Sequence, residues 1–360
     1  MSARSAGRIA CYTSFSYAYL SRARILVASL RRHHPDWELW ALMIDEPPEG
    51  MDEAAALAEF DGVVKPADLN LTRTEAWLFK HDVVEACTAV KGAMMAHLLA
   101  RGAAKVVYFD PDIAVFHPIT DILEKLDTFS IALTPHQIAP NLTDAAVRDN
   151  EITSLLYGVF NLGFAAVRND ANGRDFAAWW ATQLYRACYD EVASGIFTDQ
   201  KYCDLVPALF DGVTVIRDPG CNVASWNLSR RAIRFDTQAR LVVNGSPLKF
   251  YHFTKIGGVG DLMTERYAGA NLEVFEIWQW YKRQVVAKSV PGIPKRYWHY
   301  GNFADGTPIP KEARVLFRRR ADLYAYFDHP FAAGEGSYLA WLGREHPEML
   351  IPEAAGSQAA

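Results

Sequence analysis

The stretch Lys105-Val106-Val107-Tyr108-Phe109-Asp110-Pro111-Asp112 decides how this chain is read, because a short apolar run of β-branched and aromatic residues ends in two carboxylates. Such a run is a buried strand, and Asp110 stands where it leaves its sheet. Side chains alternate along an extended backbone, so Asp110 and Asp112, two positions apart, can converge on one cation. Paired carboxylates suit a hard divalent ion, Mn²⁺ or Mg²⁺, which takes oxygen ligands and commonly bridges them to substrate phosphates. Ligands of open α/β sheets gather at the carboxyl ends of strands, the position this pair occupies. Taken alone, the spacing is more often that of a solvated turn, and it is the preceding apolar strand that brings the metal reading level with it.

Outward from that strand the chain alternates short apolar runs with amphipathic ones. Upstream, 8–12, 38–44 and 63–64 read as strands, and 20–34, with Ile25, Leu26 and Leu30 at helical spacing, as a helix. The apolar spacing predicts one helix over 77–101, closed by Gly102. Downstream, 129–134, 159–167, 213–216, 240–243 and 248–253 read as strands, with helices over 175–191, 200–209 and 272–288. This is the pattern of an α/β domain. A soft boundary near Gly260 separates 1–260 from a helical, basic and aromatic extension, 261–350, and the small, polar 351–360 reads as a disordered tail.

Composition narrows the function. Of 360 residues 50% are hydrophobic and 12% aromatic, enough for a sizeable core, which excludes disorder as the main state. A net charge of -5 gives no sequence-wide affinity for nucleic acid. The five cysteines are odd in number, dispersed and without a CxxC pair, so neither a disulfide framework nor a thiolate zinc site is expected, and a reducing cytoplasm fits. No run approaches the ~18 apolar residues of a membrane span, and no secretory signal is recognisable. Charge is nonetheless uneven, since 281–320 holds ten Lys or Arg against Asp305 and Glu312. With Trp278, Trp280, Tyr281, Tyr297, Trp298 and Tyr300, the stretch 278–320 has two readings. It is either a peripheral contact with the anionic inner face of a membrane, or a set of aromatics packed on the body with their charges in water.

The run KVVYFDPDIAVF, with AVKGAMMAHLLARG before it and NLGFAAVRN, TDQKYCDLV and FYHFTKIGG after it in that order, resembles the glycosyltransferases of the GT-A fold. The likeness is nearest to the retaining family 8 type and its bacterial relatives, and it covers about residues 9–260. It implies a Rossmann-like nucleotide-diphospho-sugar transferase fold, a mixed sheet flanked by helices, here followed by a helical C-terminal extension. It also implies that Asp110, Asp112 and the late histidine His252 bind Mn²⁺ (or Mg²⁺), which holds the diphosphate of a nucleotide sugar. An imidazole beside two carboxylates is compatible with Mn²⁺.

The same resemblance supplies further donor contacts. Lys91 falls where the family places a basic residue facing the donor phosphates. Thr13, Ser14 and Tyr17 fall at the uridine and ribose, although Ser14 reads equally as a helix cap. Asn161 and Gly163 match an Asn-x-Gly loop touching the donor sugar, with a plain strand entry as the other reading. Lys255 is a second cation candidate, although relatives usually carry glycine there and a lysine farther on, where this chain has Gly257 and Gly258. Asp199 and Gln200 match the pair beside the donor sugar: Asp199 to accept hydrogen bonds from hydroxyls, or else to cap the next helix, and Gln200 to stabilise a developing oxocarbenium ion. Lys201 stands where relatives often carry another aspartate, which removes a carboxylate there and points to front-face return. The polar segment 134–157, with His136, reads as a mobile flap or acceptor wall.

The expected activity is Mn-dependent transfer of a sugar from a nucleotide-sugar donor, foremost a UDP-sugar, to a saccharide, lipid-linked or protein acceptor, with retention. Two other classes stay open. One is a haloacid-dehalogenase-type phosphatase, whose Asp-x-Asp also follows a strand; Ala114 and the pair's position well inside the chain count against it. The other is a nucleotide-sugar or glycan-binding protein without turnover.

Overall fold

The computed structural model describes residues 7–351, so the expected tail lies, from 352 onward, outside the described residues. Nine strands position the site: β1 (Ile9–Phe15), β2 (Glu38–Met43), β3 (Gly62–Val64), β4 (Lys105–Phe109), β5 (Ile113–Val115), β6 (Ile131–Pro135), β7 (Phe160–Arg168), β8 (Val213–Val215) and β9 (Phe250–His252). Seven of them build one sheet in the order β8-β6-β7-β4-β1-β2-β3, while β9 pairs with β5 in a separate ribbon. The sheet is mixed because β7 runs antiparallel to both β4 and β6, whereas β1 is parallel to β2 and β4. This is the mixed sheet flanked by helices, with a helical C-terminal region, that the resemblance implies.

Alternation along β1 and β4 divides the core. Tyr12, Val106 and Tyr108 face one layer, and Cys11, Val107 and Phe109 the other. The first layer is covered by the helices Thr74–Phe79, Lys91–Ala100 and Ala171–Arg186. Two of these touch through backbone: a Cβ on Gly92 would lie 2.5 Å from the Ala181 nitrogen, so glycine is required for the contact. The second layer is covered by the Leu20–His33 and Thr120–Glu124 helices.

Residues from the C-terminal region enter the first layer. Phe303, Phe317, Phe331 and Tyr338 all ring Phe79, with centroids 4.9–5.9 Å away. Arg314 is buried and donates to the carbonyls of Phe79 (3.1 Å) and His81 (2.9 Å), and to that of Tyr300.

Several expectations need correction. The single helix predicted over 77–101 is three helices, Thr74–Phe79, Val83–Ala89 and Lys91–Ala100. The break comes at Asp82, whose carboxylate accepts from the Val84 and Glu85 amides (both 2.9 Å) while the Asp82 amide donates to the Glu85 carboxylate (3.0 Å). The stretch Val83–Ala100 is, contrary to expectation, long and apolar enough to cross a membrane by length and composition, yet 56% of it is buried in the body. The helix predicted over 175–191 starts earlier, at Ala171, because Asp170 caps it through Gly173 (2.7 Å). The helix predicted over 200–209 is two single turns, Gln200–Cys203 and Val206–Leu209.

Part of the basic, aromatic stretch packs on the body, while Trp280, Tyr297, Trp298 and Tyr300 are half-buried and Arg283, Lys295 and Arg296 exposed. Trp278 and Tyr281 are buried, Phe253 stacking on Tyr281 at 3.9 Å, and Arg318 is paired with Glu85 (3.1 Å) and Glu191 (2.5 Å). These side chains are therefore withdrawn from any membrane-facing belt. Exposed large apolar side chains include Val286 in that stretch and a group at Leu142, Ile152, Leu155 and Leu156 in the segment read as a flap. From Asp144 to Tyr157 that segment is helical, with a π-helical turn over Val147–Ile152.

Candidate metal centre

Asp110 follows β4 and its amide donates to the Gly163 carbonyl of β7 (2.8 Å), which fixes the pair's first carboxylate at the strand exit. Asp112 begins the return into β5, and β5 pairs antiparallel with β9, so that His252 lies opposite Ile113. Sheet and ribbon thus bring together residues 140 positions apart. The His252 Nε2 lies 3.0 Å from Asp112 Oδ1 and 3.6 Å from Asp110 Oδ2, and one ligand atom from each residue falls within 4.8 Å of the others. The back of the imidazole is held as well. Its Nδ1 donates to Asn161 Oδ1 (3.2 Å), while the Asn161 amide nitrogen donates to His136 Nε2 (3.3 Å). Burial pushes His136 down to about 4, so it stays a neutral acceptor and this chain of donors turns the His252 Nε2 toward the carboxylates.

The donor set passes the test for a divalent cation. Burial alone would depress the His252 pKa, but Asp112 and Asp110 outweigh it and raise it; conversely burial would raise Asp112, and His252 outweighs that and lowers it. A proton on the ring therefore holds the place a cation's charge would take. Two carboxylates and an imidazole, with the second ring nitrogen bonded to an amide oxygen, are a metal-ligating set with its outer support.

A second cluster abuts the first. Lys91, at the start of its helix and only 2% exposed, places its ammonium 3.0 Å from Asp110 Oδ1, 2.9 Å from Asp199 Oδ2 and 3.2 Å from the Leu162 carbonyl, over the Tyr108 ring. Burial pulls the Lys91 pKa down, yet Asp110 and Asp199 raise it, so the ammonium is fixed as a charge. Burial raises the Asp199 carboxyl against the pull of Lys91. Tyr108 donates to Asp110 Oδ1 (2.6 Å) and Tyr12 to the Lys91 carbonyl (2.7 Å). Asp199 precedes a short helix without capping it through its side chain, and its carboxylate pairs with Lys91 instead.

The other sequence-predicted residues divide. Thr13 and Ser14 sit at the end of β1 with buried hydroxyls that lack partners, and Ser14 caps nothing. Asn161 and Gly163 both touch His252, and a Cβ on Gly163 would lie 2.6 Å from its Cε1. Gln200 is placed beside the cluster, its amide nitrogen donating to the Tyr157 carbonyl (3.0 Å). Tyr17 is spent elsewhere: its ring is buried, its hydroxyl donates to Glu53 (2.6 Å) and its amide to Asp45 (3.2 Å). Lys255 is exposed with φ 51° and forms no ion pair among the described residues.

Two contributors escaped the sequence. Trp226 packs edge-on to His252 with centroids 5.2 Å apart. Arg22, stacked on Tyr19 at 4.4 Å, helps to lower Asp112 from the first turn of its helix. No local pattern marks either one, since both reach the site through tertiary packing.

No family model matches the chain. Two curated relatives from Bacillus subtilis (strain 168), the uncharacterized proteins YfnF and YfnD, are 26% and 24% identical to it over 248 residues, which is 67% of this chain and 80% and 76% of theirs. Among solved structures it is similar to the galactosyltransferase LgtC in complex with donor and acceptor sugar analogs, at 14% identity and TM-score 0.44, covering 80% of this chain and 98% of that one. It is also similar to mouse xyloside xylosyltransferase 1, at 15% identity and TM-score 0.41, covering 69% of this chain and 98% of that one. The mixed sheet, the carboxylate pair at the exit of β4 and the histidine facing it form the GT-A type of architecture that the resemblance implies.

Proposed function

We propose that this chain is a divalent-metal-dependent glycosyltransferase, moving a sugar from a nucleotide-sugar donor, a UDP-sugar, to a saccharide, lipid-linked or protein acceptor with retention. The convergence of Asp110, Asp112 and His252 beside a buried ammonium is the observation that carries the reading. Held by those three residues, Mn²⁺ or Mg²⁺ would supply Lewis-acid stabilisation of the departing diphosphate. Lys91 contributes a permanent positive charge, held in place by two carboxylates before any ligand arrives. The unpaired hydroxyls of Thr13 and Ser14 fit the polar edge of a nucleoside. Arg22, which acts on Asp112, and the exposed Lys255 are further candidate cations for a diphosphate.

At the sugar, the Gln200 amide nitrogen is committed to Tyr157, which leaves its oxygen for a centre gaining positive charge. Lys201 donates to the Leu155 carbonyl (2.7 Å) and pairs with Asp204 (3.0 Å), so the position after Gln200 offers no carboxylate nucleophile. In a front-face reaction the leaving phosphate oxygen takes the acceptor proton as the new bond forms. The phosphatase alternative leaves unexplained the histidine that faces the carboxylate pair, His252 Nε2 lying 3.0 Å from Asp112 and 3.6 Å from Asp110.

Thermal unfolding with UDP and UDP-sugars, with and without Mn²⁺, tests the reading, because a ligand bound only by the native state raises the midpoint. Stabilisation by UDP that needs Mn²⁺, and slow release of sugar from a UDP-sugar that Asp112→Asn abolishes, are the expected results. Tight nucleotide binding with no turnover would instead leave a binding protein. UDP stabilisation indifferent to Mn²⁺ would remove the metal assignment.

A further inference from the structure

Ser225–Arg230 is a 3-10 helix with two functional ends. Near its start Trp226 packs on His252, and at its end the chain runs into Arg230, Arg231 and Arg234. At roughly 2 Å of rise per residue, Arg230 lies about 8 Å along the helix from Trp226. The three arginines line an open cavity of about 270 Å³ whose walls include Ser229, Asn244 and Asn271 and no carboxylate. That volume is near the lower end of small-ligand pockets, about 300 Å³, and suits one small group rather than a chain.

The cations in this cavity are under-neutralised. Arg231 is 2% exposed; its Nη1 donates to the carbonyls of Pro219 (3.0 Å) and Cys221 (2.5 Å), while its Nε is buried without a partner. The Arg230 Nε is likewise buried and unpartnered. Among the described residues neither Arg230 nor Arg231 forms an ion pair; Arg234 has one, with Glu273 at 3.4 Å, and the same Nη1 donates to Asn271 Oδ1 and the Ile233 carbonyl (2.7 Å), which leaves its other guanidinium nitrogens for a ligand. Burial lowers Arg231 to about 10, which still leaves it cationic at neutral pH. A buried guanidinium without a countercharge costs stability, and unsatisfied N–H groups add to the cost. The planar fork of guanidinium donors is matched by phosphate and carboxylate oxygens.

We propose that this cavity binds a small oxyanion, the phosphate or carboxylate group of a ligand, through Arg230, Arg231 and Arg234, as a site separate from the metal centre.

Isothermal titration calorimetry of the full chain with inorganic phosphate and, separately, with glucuronate at constant ionic strength tests this, with glucose as the neutral control. Saturable binding of at least one oxyanion and none of glucose is expected, weakened at least tenfold in Arg230→Gln and further in Arg230→Gln/Arg234→Gln. Preference for phosphate or for glucuronate identifies the source of the oxyanion. Arg234 is exposed and Arg230 partly so, and circular dichroism checks that both variants keep the fold; Arg230→Lys/Arg234→Lys, which keeps charge but not the fork, should give intermediate affinity. The proposal is overturned by absence of saturable binding of both anions, or by binding that survives in the folded Gln double variant.

Discussion

Gly163→Ala probes the metal centre with one methyl group and no change of charge. The added Cβ would stand 2.6 Å from Cε1 and 2.7 Å from Nδ1 of His252, and 2.8 Å from Asn161 Oδ1. Gly163 is not among the residues with positive φ, so the backbone accepts alanine and only space is lacking. Restoring an ordinary contact of 3.4 Å requires the imidazole to retreat by about 0.8 Å. Asn161 cannot follow freely, since its amide is fixed on one side by His136. Metal-ligand distances hold within about 0.2 Å, so a retreat of that size takes the Nε2 out of range. Disturbing the outer support of a ligand typically lowers metal affinity about 10- to 100-fold, and the same loss is expected here. Overpacking should cost only about 1–3 kcal/mol of stability. Mn²⁺ titration by electron paramagnetic resonance reads the first quantity and urea unfolding the second. A folded Gly163→Ala protein with wild-type Mn²⁺ affinity would refute the assignment of His252 as a ligand positioned by the β4–β7 ladder.

Further predictions follow from the buried charges and the C-terminal contacts. Lys91→Met leaves the buried Asp199 without its counterion and should cost about 3–5 kcal/mol in urea unfolding. Burial raises the Asp199 pKa and loss of Lys91 raises it further, so the folded variant retains a proton that the unfolded chain gives up. Stability is then lost as pH rises, and the deficit should be larger at pH 8 than at pH 5; an equal deficit at both would contradict the pairing. Because the carboxylates raise the His252 pKa above 6.5, Mn²⁺ must displace a proton, and its apparent affinity should climb as pH rises through and beyond that value. Calorimetry in two buffers of different ionisation heat would detect the released proton, and flat affinity from about pH 6 to 8 would exclude the histidine. Phe79→Ala opens a hole among four C-terminal rings and should lower stability by about 3–5 kcal/mol, a loss below 1 kcal/mol showing that those contacts are loose.

The carboxylate pair was legible because its information is local: β4 is an unbroken run of strand formers, and the residue after it must leave the sheet. Asn161, Gly163 and Lys91 were found through the resemblance, and the structure gives each of them a contact in the cluster. The histidine needed that ordered context too, since an imidazole at the end of a strand carries no ligand signal of its own. Arg22 and Trp226 were illegible for a different reason. An arginine in an amphipathic helix and a tryptophan in a short helix are ordinary, and only packing of the Leu20–His33 helix and of Ser225–Arg230 brings them to the site. Past the turn after β1 the polar groups of Tyr17 are bonded to Asp45 and Glu53, partners that adjacency to Thr13 and Ser14 does not announce. The long helix over 77–101 was over-read although its interruption is written in Asp82-Val83-Val84-Glu85, a capping box that hydrophobic periodicity ignores.

The aromatic ring around Phe79 has a consequence for biosynthesis. Chains emerge from the ribosome N-terminus first, at about 5–20 residues per second. Phe79 is therefore made long before Phe303, Phe317, Phe331 and Tyr338, the side chains that cover it. Until those residues arrive, the helices beneath the sheet present an uncovered apolar face to solvent or to a chaperone, and the carbonyls of Phe79 and His81 await Arg314. A message truncated anywhere before residue 303 would leave that face without the four rings that cover Phe79, so synthesis of the helices carrying them is what closes this layer of the core.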